Sequence, residues 1–149
     1  MAFLSLVPHR LALVGALALV LGAAGGGQES ADDVLEQVQV GLEQGSADAV
    51  LSRADTRVEV VLFGRGGTVR RAQAVHVLRD FFRRYPPDRV AIAERSSSED
   101  GLTAVWRYWT AEDGQPLNVR AVHREGEGGW RLVSLRVERR SAIRGGGRL

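Results

Sequence analysis

A helix that cannot continue is the strongest constraint on this chain. Residues 72–87 read AQAVHVLRDFFRRYPP. At 100° per residue, Ala74, Leu78, Phe81, Phe82 and Tyr85 share one face, flanked by Val75 and Val77. His76, Arg79, Asp80, Arg83 and Arg84 share the other. Pro86 disfavours helical geometry at Tyr85 and Pro87 repeats the veto, which predicts a helix over residues 72–85. Phe81 and Phe82 are therefore expected in a core and Arg83 in water. An alternating strand pattern follows directly.

Two further helices precede it. Ser30 suits an N-cap, Asp32, Asp33 and Glu36 sit where the helix dipole favours negative charge, and Val34, Leu35, Val38 and Leu42 form a stripe that Gly45 closes. Ser46 predicts a second, short helix over residues 47–53, with Val50 and Leu51 inward. Residues 56–63 (TRVEVVLF) read as a strand, and residues 64–67 (GRGG) as a tight turn with a short pairing strand at 68–70. Residues 89–93, 102–110, 117–124 and 130–138 follow as four strands. Turn chemistry separates them, with Asp100-Gly101 and Asp113-Gly114 as hairpin signals and a Gly/Glu loop over residues 125–129. Helices gathered early and strands gathered late predict an α+β fold, N-terminal helices packed on one face of a curved antiparallel sheet.

The chain has 149 residues, and 44% are hydrophobic, which suits one domain with its own core. All 20 basic residues are arginines. They are interleaved with 18 acidic residues for a net charge of +2, which reads as a solvated surface and argues against a nucleic-acid partner. Cysteine is absent, so disulfides, thiolate metal sites, cysteine nucleophiles and a lipid-modified N-terminal cysteine are excluded. Residues 11–21 (LALVGALALVL) are unbroken apolar sequence behind Arg10, followed by Gly22, Ala23 and Ala24. This predicts a signal peptide over residues 1–24, a linker over 25–30, the domain over 31–140 and a disordered tail over 141–149. The run is shorter than the roughly 20 residues a membrane span needs, so no stable span is expected after cleavage. The expected location is the periplasm or the exterior.

The segments 57–74 (RVEVVLFGRGGTVRRAQA), 78–87 (LRDFFRRYPP) and 130–138 (WRLVSLRVE) give the chain a further identity. With this element order, it resembles the nuclear-transport-factor-2-like superfamily, a cone-shaped (cystatin-like) α+β fold. More narrowly it resembles the exported bacterial family called domain of unknown function 4783, over about residues 32–139. The resemblance implies the cone. It implies no chemistry, because enzymes and binding modules share that scaffold.

The residues themselves offer four weak pocket candidates: Phe63, Trp106, Tyr108 and His123. In residues 102–110, Leu102, Ala104, Trp106 and Tyr108 fall on one face, and Val105, Arg107 and Trp109 on the other. Trp106, Tyr108 and Phe63 could line a ligand pocket or simply fill a core. His123 shares a strand face with Leu117, Val119 and Ala121, which makes it a candidate general base; the bland alternative is a strand-end histidine at the rim. His76 reads as a surface residue and Glu59 as pointing at water. The spacing shows no metal motif, no catalytic set and no cofactor motif. The favoured reading is a non-catalytic exported module that binds a small ligand or an envelope protein. The alternatives are a cone-pocket enzyme of isomerase, dehydratase or hydrolase type using His123 and Tyr108, and a structural dimerising module. A homodimer is expected through the sheet face that helices leave open, because Trp106 and Trp109 must point to opposite sides. Arg107 and Arg120 share the outer face and offer the alternative of screening it.

Overall fold

The computed structural model describes residues 29–112 and 114–140, so the expected signal peptide, most of the linker, the tail and Asp113 lie outside it. Helix α1 (Ala31–Gln44) begins with a reciprocal cap: Ser30 Oγ accepts from the Asp33 amide, and Asp33 accepts from the Ser30 amide at 3.0 Å. These hydrogen bonds hold the Asp33 carboxyl below its usual range. Gly45 ends the helix in the left-handed conformation. Helix α2 (Ala47–Val50) is capped by Ser46 and stops at Leu51, shorter than its sequence pattern suggests. The two helices meet closely. A Cβ on Gly41 would sit 2.8 Å from both Cγ2 and the amide nitrogen of Val50.

Strand β1 (Ala54–Leu62) turns at Phe63-Gly64 into β2 (Arg65–Arg70), which runs straight into α3 (Arg71–Arg84). The GRGG stretch is therefore mostly strand, and the turn lies one residue earlier than expected. Gly66 shows why glycine is needed inside that strand: its φ is +135°, and a Cβ would come 2.0 Å from the Val60 carbonyl oxygen. Helix α3 ends at Tyr85, as the two prolines require. Strands β3 (Pro87–Ser98), β4 (Gly101–Thr110), β5 (Leu117–Gly126) and β6 (Gly129–Arg139) form an antiparallel meander. β3 extends to Ser98, five residues past the end at 93 that the sequence pattern gives.

One six-stranded sheet results, in the order β2-β1-β6-β5-β4-β3. Every neighbouring pair is antiparallel except β1 and β6, which are parallel and join the hairpin to the meander. Register shifts in β3–β4, β5–β6 and β1–β6 mark irregularities of the bulge type that bend a sheet. Helix α1 lies over β3 and β4, and α3 over β1 and β2, so the helices cover one face only.

The core fills the space between. Ala74, Leu78, Phe81 and Phe82 of α3 are buried, as are Val34, Leu35, Val38 and Leu42 of α1. On β4, Leu102, Ala104, Trp106 and Tyr108 are all fully buried, facing His123, Ala121, Val119 and Leu117 across the β5 register. Trp106 Nε1–H donates to Gln39 Oε1 of α1 at 3.3 Å, which satisfies its one polar atom. On the outer face, the Arg89 guanidinium lies 3.8 Å from the centre of the Trp109 ring. The residue seated on Trp109 is thus Arg89 of β3. Glu59 is on the same outer side, where it accepts hydrogen bonds from Ser134 and Arg136 that lower its carboxyl pKa. Among the described residues, no helix is long and apolar enough to cross a membrane.

Candidate functional site

The turn that closes the β1–β2 hairpin begins with a residue in the wrong conformation for its type. Leu62 pairs with Arg65, leaving Phe63 and Gly64 as a two-residue loop with φ of +53° and +79°. Such loops favour Asn or Gly at the first position, because a Cβ crowds the backbone there. A bulky residue held in this region costs on the order of 1–3 kcal/mol and persists only where its surroundings over-determine it. Among the described residues, Phe63 is the only non-glycine with positive φ.

Its surroundings are specific. The Phe63 amide donates to the Val137 carbonyl at 2.8 Å, tying the turn to β6. Its ring centre lies 5.4 Å from that of Tyr85 and 6.4 Å from that of Phe81, while Phe81 and Tyr85 are 5.3 Å apart. The Arg139 guanidinium stands 5.1 Å over the Phe63 ring. These three rings, with Leu62 and Val77, line a cavity of about 580 Å³. Arg65, Arg84, Arg139 and Asp80 supply its polar lining. That volume is in the range of small-molecule sites. Asp80 is ion-paired to Arg83, which is not part of the lining.

A second cleft of about 450 Å³ opens between Arg70, Arg71 and Arg131 beside Asp55, and it has no aromatic wall. Among the described residues, no cluster of His, Asp or Glu could hold a metal ion.

Of the four sequence candidates, Phe63 lines the cavity of about 580 Å³. Tyr108 stands behind its floor, with its ring 5.6 Å from Phe81 and its hydroxyl donating to the Tyr85 carbonyl. Burial raises the Tyr108 pKa well above its usual value. Trp106 is sealed in the core. His123 is also sealed in the core, and not at the rim where a strand-end residue would lie. It pairs with Leu102 and Leu132 in the neighbouring strands. Neither imidazole nitrogen meets a hydrogen-bond partner, and burial lowers its pKa to about 4. His123 lies six residues along β5 from Leu117, the partner of Tyr108, or roughly 20 Å of strand. The sheet does not bring His123 and Tyr108 together. His76 is exposed on α3. Tyr85, Arg65 and Arg84 escaped the sequence reading as site residues, and Arg139 reads from sequence as a tail arginine able to touch an anionic lipid or polyanion, with a solvated tail as the default. The one available signal was an aromatic residue ahead of Gly64 in a hairpin.

Residues 35–138 match the family described as domain of unknown function (DUF4783). The chain belongs to that family. A DUF4783 family protein from Bacteroides ovatus has a solved structure that superposes with a TM-score of 0.66 at 15% identity, covering 76% of this chain and 97% of that one. One from Bacteroides uniformis gives 0.65 at 11% identity, covering 72% and 97%. A nuclear-transport-factor-2-like protein of unknown function from Shewanella baltica gives 0.57 at 14% identity, covering 74% and 91%. At these identities the likeness is one of fold. The DUF4783 domain seen here has the nuclear-transport-factor-2-like architecture. No functionally curated protein matches the sequence.

Proposed function

We propose that this DUF4783 domain is an exported, non-catalytic binding module whose small-molecule seat is the Phe63 cavity. The observation that carries the reading is the left-handed Phe63. A glycine or asparagine would close the hairpin at lower cost, so the ring is retained for what it forms with Phe81 and Tyr85. Export rests on the apolar run at residues 11–21 and the small residues after it. The enzyme alternative draws no support from two groups separated along a strand and both closed off from solvent.

Mass spectrometry of native protein and of a Phe63→Asn variant tests the proposal. The expected result is a co-purified small molecule, or a thermal shift on adding one, that is lost in the variant. The reading fails if every ligand retained by the native protein is retained equally by the variant.

A second reading, a homodimer through the outer sheet face, is favoured by Trp109, a large partly exposed ring on the face that no helix covers. Arg89 seated on Trp109 is the feature that opposes it. Sedimentation at micromolar concentration separates the two. A dimer supports the second reading, whereas a monomer that associates only after Arg89→Ala identifies Arg89 as the shield.

A further inference from the structure

Resting on the reading of the Phe63 cavity as a ligand seat, the geometry points to the chemical class of its occupant. We propose a small amphipathic anion, with a flat apolar body against the aromatic wall and a carboxylate, sulfonate or phosphate head at Arg65 and Arg84.

Charge on the lining decides the head. Arg65 and Arg84 line the cavity beside one carboxylate, Asp80, that Arg83 already engages. Arg65 comes from the first residue of β2 and Arg84 from the last of α3, so the two flank the cavity from opposite elements. Neither has a carboxylate partner among the described residues. A cationic ligand would meet like charge at both. Both arginines are exposed, and a neutral ligand would gain nothing from their charge. A planar guanidinium pairs with carboxylate, sulfonate or phosphate oxygens two at a time.

The wall decides the body. Phe63 and Tyr85, both half-buried, have ring centres 5.4 Å apart and inclined at 55°, and the buried Phe81 packs behind them, so each exposed ring offers its own apolar surface. Stacking on aromatic rings suits flat groups. The apolar path continues beyond the cavity: an adjoining groove of about 480 Å³ between β2 and α3 shares Leu62, Arg65 and Val77 with it and adds Val60 and Val69. A ligand longer than the first cavity can extend there.

The test compares two fluorescent probes with related aromatic bodies, anilinonaphthalene sulfonate and uncharged phenylnaphthylamine, titrated into the purified full chain. The expected result is a preference of roughly tenfold or more for the sulfonate, in keeping with a hydrogen-bonded charge pair. Arg65→Gln and Arg84→Gln should each remove most of that preference while leaving the uncharged probe unaffected. Arg120→Gln, on the outer sheet face, should change neither. Near-ultraviolet circular dichroism of Trp106 and Tyr108 confirms that each variant is folded.

Equal binding of both probes, lost together in Phe63→Asn, would keep the cavity as a seat and overturn the anionic ligand. Sulfonate binding that survives Phe63→Asn and both arginine variants, or no binding of either probe, would overturn both.

Discussion

The two ends of the inner sheet face follow one alternating pattern, yet each contains a residue that stability alone would not choose. At the Leu102–Leu132 end, a polar ring, His123, is fully buried with no partner for either nitrogen. At the Tyr108 end, an apolar ring, Phe63, is only half-buried and held in left-handed backbone. The first end is closed, and its cost falls on protonation. The second is open, with three rings and three guanidiniums around a cavity, and its cost falls on the backbone. Strain at an open, chemically varied site suggests use. An unpaired polar group in a closed core suggests a pH-dependent penalty.

Phe81 gives the strongest test, because it belongs to both regions: buried in the core, and a wall of the cavity. Phe81→Ala should lower unfolding free energy by about 3–5 kcal/mol in urea titration. Arg83→Ala, on the solvated face, should cost no more than about 0.5 kcal/mol. Similar midpoints for the two would mean that the floor of the cavity is not part of the core.

His123 sharpens the contrast through pH. Its folded pKa of about 4 lies below the ordinary 6.5, so the unfolded chain takes up the proton first. The stability that neutral His123 provides is complete above pH 6.5 and declines as pH falls toward 4, below which its effect is flat. The loss across that window approaches about 3 kcal/mol. Urea midpoints at pH 7 and pH 4.5 should therefore differ much less in His123→Leu than in the native protein. An unchanged pH slope in the variant would remove the closed end from the comparison.

Gly41→Ala probes how tightly the α1–α2 corner is closed. Its new methyl would press on the Val50 backbone, and a loss of about 1–3 kcal/mol is expected. A neutral result would show that the corner yields.

The smallest expected effect lies at the open end. Phe63→Asn exchanges ring packing for relief of the left-handed strain, so the net change should stay within about 1 kcal/mol in thermal unfolding. Probe binding should be lost all the same. A large destabilisation would make Phe63 a structural residue and dissolve the contrast between the two ends.

Legibility followed the range of the forces involved. The caps at Ser30 and Gly45, the stop at Tyr85 and the buried pair Phe81 and Phe82 could be read directly, because capping, proline geometry and helical periodicity act within a few residues. The split of Trp106 and Trp109 between faces could be read for the same reason. The Phe63 turn was misplaced by one residue because the local rule favours glycine-rich GRGG, and the cavity that overrides the rule is assembled from β1, α3 and β6. His123 was readable as inward-facing, but whether inward meant a cavity or a sealed core depended on the elements packed over it.

By itself the sequence determined the family, the order of helices and strands, and which face of each turns inward, since each is written in local pattern. Only the tertiary structure decided that β1 lies parallel beside β6, that Arg89 is the residue seated on Trp109, and that Phe63 meets Tyr85 and Arg139. Each of these joins residues from separate elements, and chain closure and packing, rather than any local preference, choose among such pairings.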